Sequence, residues 1–286
     1  MELTITLPKD FQTKTVRELL EAEWLVPRKV RHFLRTRKNV LVNDEPALFH
    51  FQVNAKDVVT LIFEDSDYPK PHLLLGNPKK VNVLFEDQQL IILNKPAGMK
   101  THPNQPDEAD TLLNHLAAYL AAKDQIPYVV HRLDKETSGA ILFAKNPFVL
   151  PILGRMLEKK QIYRRYQAVV AGSISKENWT INKKMGRDRH DRRKRLIDNK
   201  NGAIAITHVQ VASKVNNQTY VYCILETGRT HQIRVHLASE GYPIVGDPLY
   251  NPTAKGRLML HAIELHLVHP FSKETISVTA APSLWE

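Results

Sequence analysis

The chain has 286 residues, 43% hydrophobic and 24% charged, a composition that excludes a disordered chain and supports one large core-bearing unit or two smaller ones. A net charge of +10 favours a polyanionic partner, and because no apolar run approaches bilayer length, nucleic acid is favoured over membrane insertion. The single cysteine, Cys223, excludes an internal disulfide and any multi-cysteine metal site; with no signal-peptide pattern in MELTITLPKD, a cytoplasmic protein is expected.

Residues 1–66 read as a small first unit. Thr15 and Glu18 fit a capping box, after which Val16, Leu19, Leu20 and Trp24 fall on one helical face. Pro27 suits the first turn of a second helix, with Val30, Phe33 and Leu34 on its apolar side. The other side carries Arg28, Lys29, Arg31, Arg35, Arg37 and Lys38 with no acid among them. Such a run is a solvated face or a phosphate-binding one, and the lack of counter-charge tilts it toward RNA. A strand VLVN (Val40–Asn43), a turn at Asp44-Glu45-Pro46 and a strand DVVTLIF follow. This order of elements resembles the small RNA-binding domain named after the fourth protein of the small ribosomal subunit.

DSDYPKPHLL, with two prolines, reads as the start of a linker over residues 67–79. Residues 80–286 form the larger unit. VNVLFEDQQLIILNK suggests two strands around Asp-Gln-Gln, and TLLNHLAAYLAAK a helix behind the cap Thr111. A strand GAILFAK and a helix from Leu150 to Lys160 follow. Further strands are expected in KRLIDNKNGAIAITHVQVAS, TYVYCILET, LMLHAIELHLVHP and TISVTAAP. HQIRVHLASEG reads as a helix capped by Thr230 and ended by Gly241. Strands mixed with a few helices predict an α+β fold with a mainly antiparallel sheet, flanking helices and a central cleft. The patch KKMGRDRHDRRKR (Lys183–Arg195) sets eight Lys and Arg against Asp188 and Asp191. It is expected as a mobile loop that orders on RNA, with Arg187 and Arg192 among its contacts.

Four segments then stand in sequence: LIILNKPAGMKTHP, HRLDKETSGAILFAK, RRYQAVVAG and ETGRTHQIRVHLASEGYPIVGDPLY. With RLMLHA, HPF and Ala281-Pro282 near the end, they resemble the ordered motifs of pseudouridine synthases of the ribosomal large-subunit branch. The resemblance implies an enzyme that cuts the bond between uracil nitrogen and ribose, turns the base and rejoins it through carbon 5. No cofactor is expected, and the chain has neither G-x-G-x-x-G nor a Walker motif. The resemblance assigns the essential carboxylate to Asp134, as nucleophile or base, a choice the sequence leaves open. It assigns the cation that keeps Asp134 ionised to Arg229, and the ring against the target base to Tyr166. Arg132 is assigned to the space left by an extruded nucleotide, with His131 beside it in the same RNA-contacting stretch. Read without the resemblance, Asp134 is an ordinary turn former, Arg229 a surface turn residue and Tyr166 a core residue. No metal is expected: His231 and His236 are five apart, off one helical face, and His131 and His261 read as structural. Asp247 reads as a turn former. The expected partner is ribosomal RNA, with a transfer-RNA-directed enzyme or a non-catalytic assembly factor as the competing readings.

Overall fold

Residues 1–282 are described in the computed structural model. Alternation in Glu2–Thr6 buries Leu3 and Ile5 and exposes the residues between them. The stretch is therefore a strand, paired antiparallel with Val58–Ile62, and it was not expected although its period of two signals it. Val40–Val42 and Glu45–Pro46 complete a four-stranded sheet. Its turn runs through Asn43 and Asp44, both left-handed, a conformation these residue types tolerate.

The capping box at Thr15 and Glu18 is present, but it opens a single α-turn, Val16–Glu18, that widens into a π-helical segment, Leu19–Glu23. The wider turn still buries Val16, Leu19, Leu20 and Trp24 together. In the next helix, Arg28–Thr36, Pro27 stands just before the first residue and Val30 and Leu34 face inward.

A ten-stranded sheet carries the larger part of the chain. Its path of eight strands runs Asn178–Asn182, Ile206–Val215, Gln218–Leu225, Ile162–Ala171, Leu260–Val268, Ser138–Ala144, Leu90–Lys95 and Val83–Glu86, and off it Thr275–Thr279 pairs with Leu260–Val268 and Tyr128–Val129 with Ser138–Ala144. Helices Leu112–Ala121, Val149–Glu158 and Gln232–Ser239 accompany it, giving the α+β architecture expected. The sheet is antiparallel except at its centre, where Ser138 and Gly139 run parallel to His261 and Ala262. Gly139 has φ +111°, and a Cβ there would meet the Ala262 carbonyl oxygen at 2.2 Å. Only glycine permits that approach. The seam joins the two halves of the sheet.

The first unit is not held at arm's length. Trp24 meets Phe148 and Phe271 edge-on, with ring centroids 5.7 and 5.9 Å apart, and Phe63 lies 5.7 Å from Phe148. These rings belong to one buried cluster that includes Leu3 and Leu61 on one side and Leu142 and Leu265 on the other. The expected linker 67–79 begins inside this packing. Asp67 is buried and accepts two hydrogen bonds from Arg37 Nη1, at 2.8 and 3.0 Å, while Tyr68 packs 5.5 Å from Phe63.

The basic patch forms a β-hairpin, Met185–Arg187 paired with Arg195–Ile197, where a mobile loop was expected. The two acids explain the order. Asp188 Oδ1 accepts the His190 and Asp191 N–H groups, and Asp191 holds Arg193 by backbone and side chain. No helix among the described residues is long and apolar enough to cross a membrane.

Candidate active site

The stretch from His131 to Thr137 is a loop that enters the seam strand, and its shape comes from side chains of the preceding motif. The Thr101 hydroxyl donates to the Leu133 carbonyl at 2.7 Å and accepts the Leu133 N–H at 3.2 Å. Lys95 is fully buried, and its ammonium donates to the carbonyls of Pro96, Met99 and Lys135 at 2.9, 2.6 and 3.0 Å. Three acceptors match its three protons, and burial still draws its pKa down to about 7 against the opposing pull of the Asp134 and Glu136 carboxylates. The Gly98 N–H donates to the same Lys135 carbonyl at 2.9 Å. His131 is buried, and its Nε2 accepts the Leu142 N–H at 3.2 Å. Burial, aided by the nearby Arg164 charge, pushes its pKa down to about 3. It is a neutral tether between loop and strand, as the structural reading of the sequence had it, and it also lines the cavity described next.

So strapped, the loop presents the Asp134 carboxylate, 16% exposed, to a cavity of about 430 Å³. Arg132, Arg164, Tyr166, Arg229, His231 and Arg234 also line it. The cation beside Asp134 is Arg234, with Nη1 3.5 Å from Oδ2; Arg229 makes no ion pair with it. Arg229 is exposed, its Nε donating to the Ile204 carbonyl at 3.1 Å, so the cation expected at Asp134 is displaced by one turn and a half of chain. The reason is local. Arg229 precedes the helix Gln232–Ser239 and points to the rim, whereas Arg234 lies within it, 3% exposed.

Asp247 holds that arginine in place. Its carboxylate accepts from Arg234 Nε at 2.8 Å and Nη2 at 2.7 Å, and it also accepts the Leu249 and Tyr250 N–H groups. Burial favours the protonated acid, but the hydrogen bond and charge of Arg234 and the two N–H donors outweigh it and hold the pKa low. Asp247 is thus a turn former, as read from the sequence, and also the buried anchor of the guanidinium. His231 sits at the start of the same helix with φ +60°, its Nε2 3.8 Å from Asp134 Oδ2.

Tyr166 enters from the strand Ile162–Ala171, 5% exposed, opposite Ala262 of the seam. A bulge between Arg165 and Tyr166 breaks the register there and turns the ring toward the cavity. Burial raises its phenol pKa, so the ring is neutral. Arg132 is exposed at the rim.

A family model described as RNA pseudouridylate synthase matches residues 89–239, just over half of the chain, including the Asp134 loop, the Tyr166 strand and the Arg234 helix. The chain belongs to the RNA pseudouridylate synthase family. A second model, the RluD ribosomal pseudouridine synthase N-terminal domain, matches residues 3–59. The chain is 40% identical over 254 residues to the uncharacterized RNA pseudouridine synthase YhcT of Bacillus subtilis (strain 168), covering 86% of this chain and 82% of that one. It is 36% identical to the ribosomal large subunit pseudouridine synthase D of Neisseria meningitidis serogroup B, covering 84% and 68%. Among solved structures, human RNA pseudouridylate synthase domain containing 1 superposes with a TM-score of 0.60 at 25% identity, over 73% of this chain and 85% of that one.

In this pseudouridine synthase the residues that sequence reasoning missed are Arg234, Asp247's second role, Lys95 and His231. A signal existed for Arg234: an arginine flanked by Ile233 and Val235 in a helix is expected to be buried and partnered. Of the expected RNA contacts, Arg28, Lys29 and Arg35 are exposed on their helix, while Arg31 is paired with Glu21 at 2.5 Å. Arg187 and Arg192 are exposed on the hairpin. Among the described residues no group of three or more His, Cys, Asp or Glu is placed to hold a metal ion.

Proposed function

We propose that this enzyme isomerises uridine in large-subunit ribosomal RNA, with Asp134 as the essential carboxylate. The observation that carries the reading is the meeting, in one cavity of nucleotide-sized volume, of a carboxylate, a buried guanidinium and a phenol ring. Arg234 sets its positive charge 3.5 Å from the Asp134 carboxylate and so orients it toward the ribose–base junction. The bond from carbon 1 of the ribose to uracil nitrogen breaks; the base turns, and carbon 5 bonds to the same ribose carbon. The proton lost from carbon 5 balances the one gained by the freed nitrogen. Tyr166 offers the turned base an apolar face, and Arg132 fills the gap left in the RNA. The N-terminal helix and the hairpin bind phosphates around the target. The ribosomal assignment follows relatives named for the large subunit, which match over most of the chain.

Asp134→Asn keeps the shape of the loop and removes the charge. It is expected to abolish release of tritium from carbon 5 of uridine while RNA affinity stays within about threefold, because phosphate contacts carry that affinity. Retained turnover would remove Asp134 from the chemistry. Chemical mapping of pseudouridine in RNA from cells with and without the gene tests the substrate class, and a site lost from transfer RNA alone would overturn the ribosomal assignment.

A further inference from the structure

His231 is a histidine in a left-handed conformation, φ +60° and ψ +18°, where asparagine or glycine is the usual occupant. A strained residue at the wall of a reaction cavity raises the question of what its side chain does there. Its Nδ1 lies 2.8 Å from Tyr250 Oη, and that oxygen accepts the Arg195 backbone N–H, also at 2.8 Å. Arg195 is the first residue of the hairpin's second strand. The Tyr250 ring meets the imidazole edge-on and lies 5.2 Å from Arg234 Cζ.

These contacts have one consistent proton order. The Arg195 N–H donates to Oη, the Tyr250 hydroxyl donates to Nδ1, and Nε2 carries the imidazole proton toward Asp134. The opposite tautomer would aim a lone pair at the carboxylate. At 3.8 Å, Nε2 and Oδ2 face each other without bonding, a separation that catalytic sites shorten when substrate enters.

We propose that His231 and Tyr250 are positioning residues for Asp134: two hydrogen bonds run from the backbone of the basic hairpin to the imidazole, whose Nε2 stands 3.8 Å from the catalytic carboxylate and closes on it when substrate enters. The proposal rests on the reading of Asp134 given above. It makes hairpin and reaction centre one mechanical unit: RNA seated on the hairpin steadies the Arg195 peptide, and through Tyr250 and His231 it steadies the carboxylate.

The test uses the full-chain enzyme and total RNA from cells lacking the gene, grown with uridine tritiated at carbon 5. Tyr250→Phe removes one oxygen and is expected to lower kcat about tenfold, with KM within about twofold, as for one lost hydrogen bond in a charged site. His231→Gln can still reach Asp134 with an N–H, whereas His231→Asn reaches only Tyr250. The proposal therefore expects kcat of the Gln variant to exceed that of the Asn variant, although Asn suits the left-handed backbone better and gives the higher melting temperature. A role confined to backbone shape predicts the reverse order of activity. A fall of less than about threefold for Tyr250→Phe, or Asn equal to or better than Gln, overturns the proposal. Asp134→Asn is run alongside: its retained turnover would instead overturn the reading on which the proposal rests.

Discussion

The guanidinium of Arg234 divides its donors between two carboxylates, and that division sets the electrostatics of the site. Nε and Nη2 are taken by Asp247 in a two-point grip, which leaves Nη1 directed at Asp134. A lysine has neither the fork nor the reach to serve both acids at once. Arg234→Lys is expected to lower kcat by about a hundredfold or more, roughly 2.7 kcal/mol of transition-state stabilisation. Arg229→Ala, at the rim, is expected to raise KM and leave kcat within about threefold. Steady-state tritium release on both variants checks the assignment, and the opposite pattern would restore Arg229 to the reaction centre. The ambiguity between them was built into the sequence, because GRTHQIR carries two arginines and spacing does not say which one turns inward. Asp134 and Tyr166 were legible because their motifs place them; the inward arginine depends on where a helix begins, the least readable feature of a chain.

At the level of elements, charge was read correctly by position and incompletely by partner. Six bases on one helix appeared unopposed, yet Arg31 is paired with Glu21, and Arg37 with Glu64 and Asp67, acids that lie outside the helix. Arg28, Lys29 and Arg35 stay exposed, and on the proposed reading they are the ones that meet phosphate. In the hairpin the acids were legible as minor counter-charge and not as turn formers, so an ordered element was expected to be mobile. Its fixed shape sharpens the prediction for Arg187 and Arg192. Replacing both with alanine is expected to weaken RNA binding and to flatten the dependence of log affinity on log salt by about two units, one per lost phosphate contact. Filter binding across a salt series measures the slope; an unchanged slope would place both side chains off the RNA.

Across the whole molecule, one buried cluster spans the junction of the four-stranded and ten-stranded sheets. Trp24→Ala opens a void between Phe148 and Phe271 and is expected to destabilise the protein by about 3–5 kcal/mol, read from denaturant unfolding. For the same reason, removing residues 1–66 is expected to compromise the remaining fold as well as RNA affinity. The buried histidines give a second prediction. His115, His131, His236, His261 and His269 all have pKa values lowered by burial, His131 to about 3. Below about pH 6.5 the unfolded chain takes up protons on these rings that the folded protein refuses. Stability is therefore present above that pH and lost as pH falls toward the folded values, so the urea midpoint is expected to drop steadily between about pH 7 and 5. A flat midpoint over that interval would show the rings protonate without opening the fold.

Because Trp24, Phe63, Phe148 and Phe271 clasp the N-terminal unit, its basic helix does not trail on a tether. On the proposed reading, the span from that helix to the cavity is then a length machined into the protein, like the jaws of a caliper. Selection among uridines falls to the shape of the RNA: a target is modified when its surrounding structure matches the opening of the jaws, and an identical local sequence in a differently folded RNA is passed over.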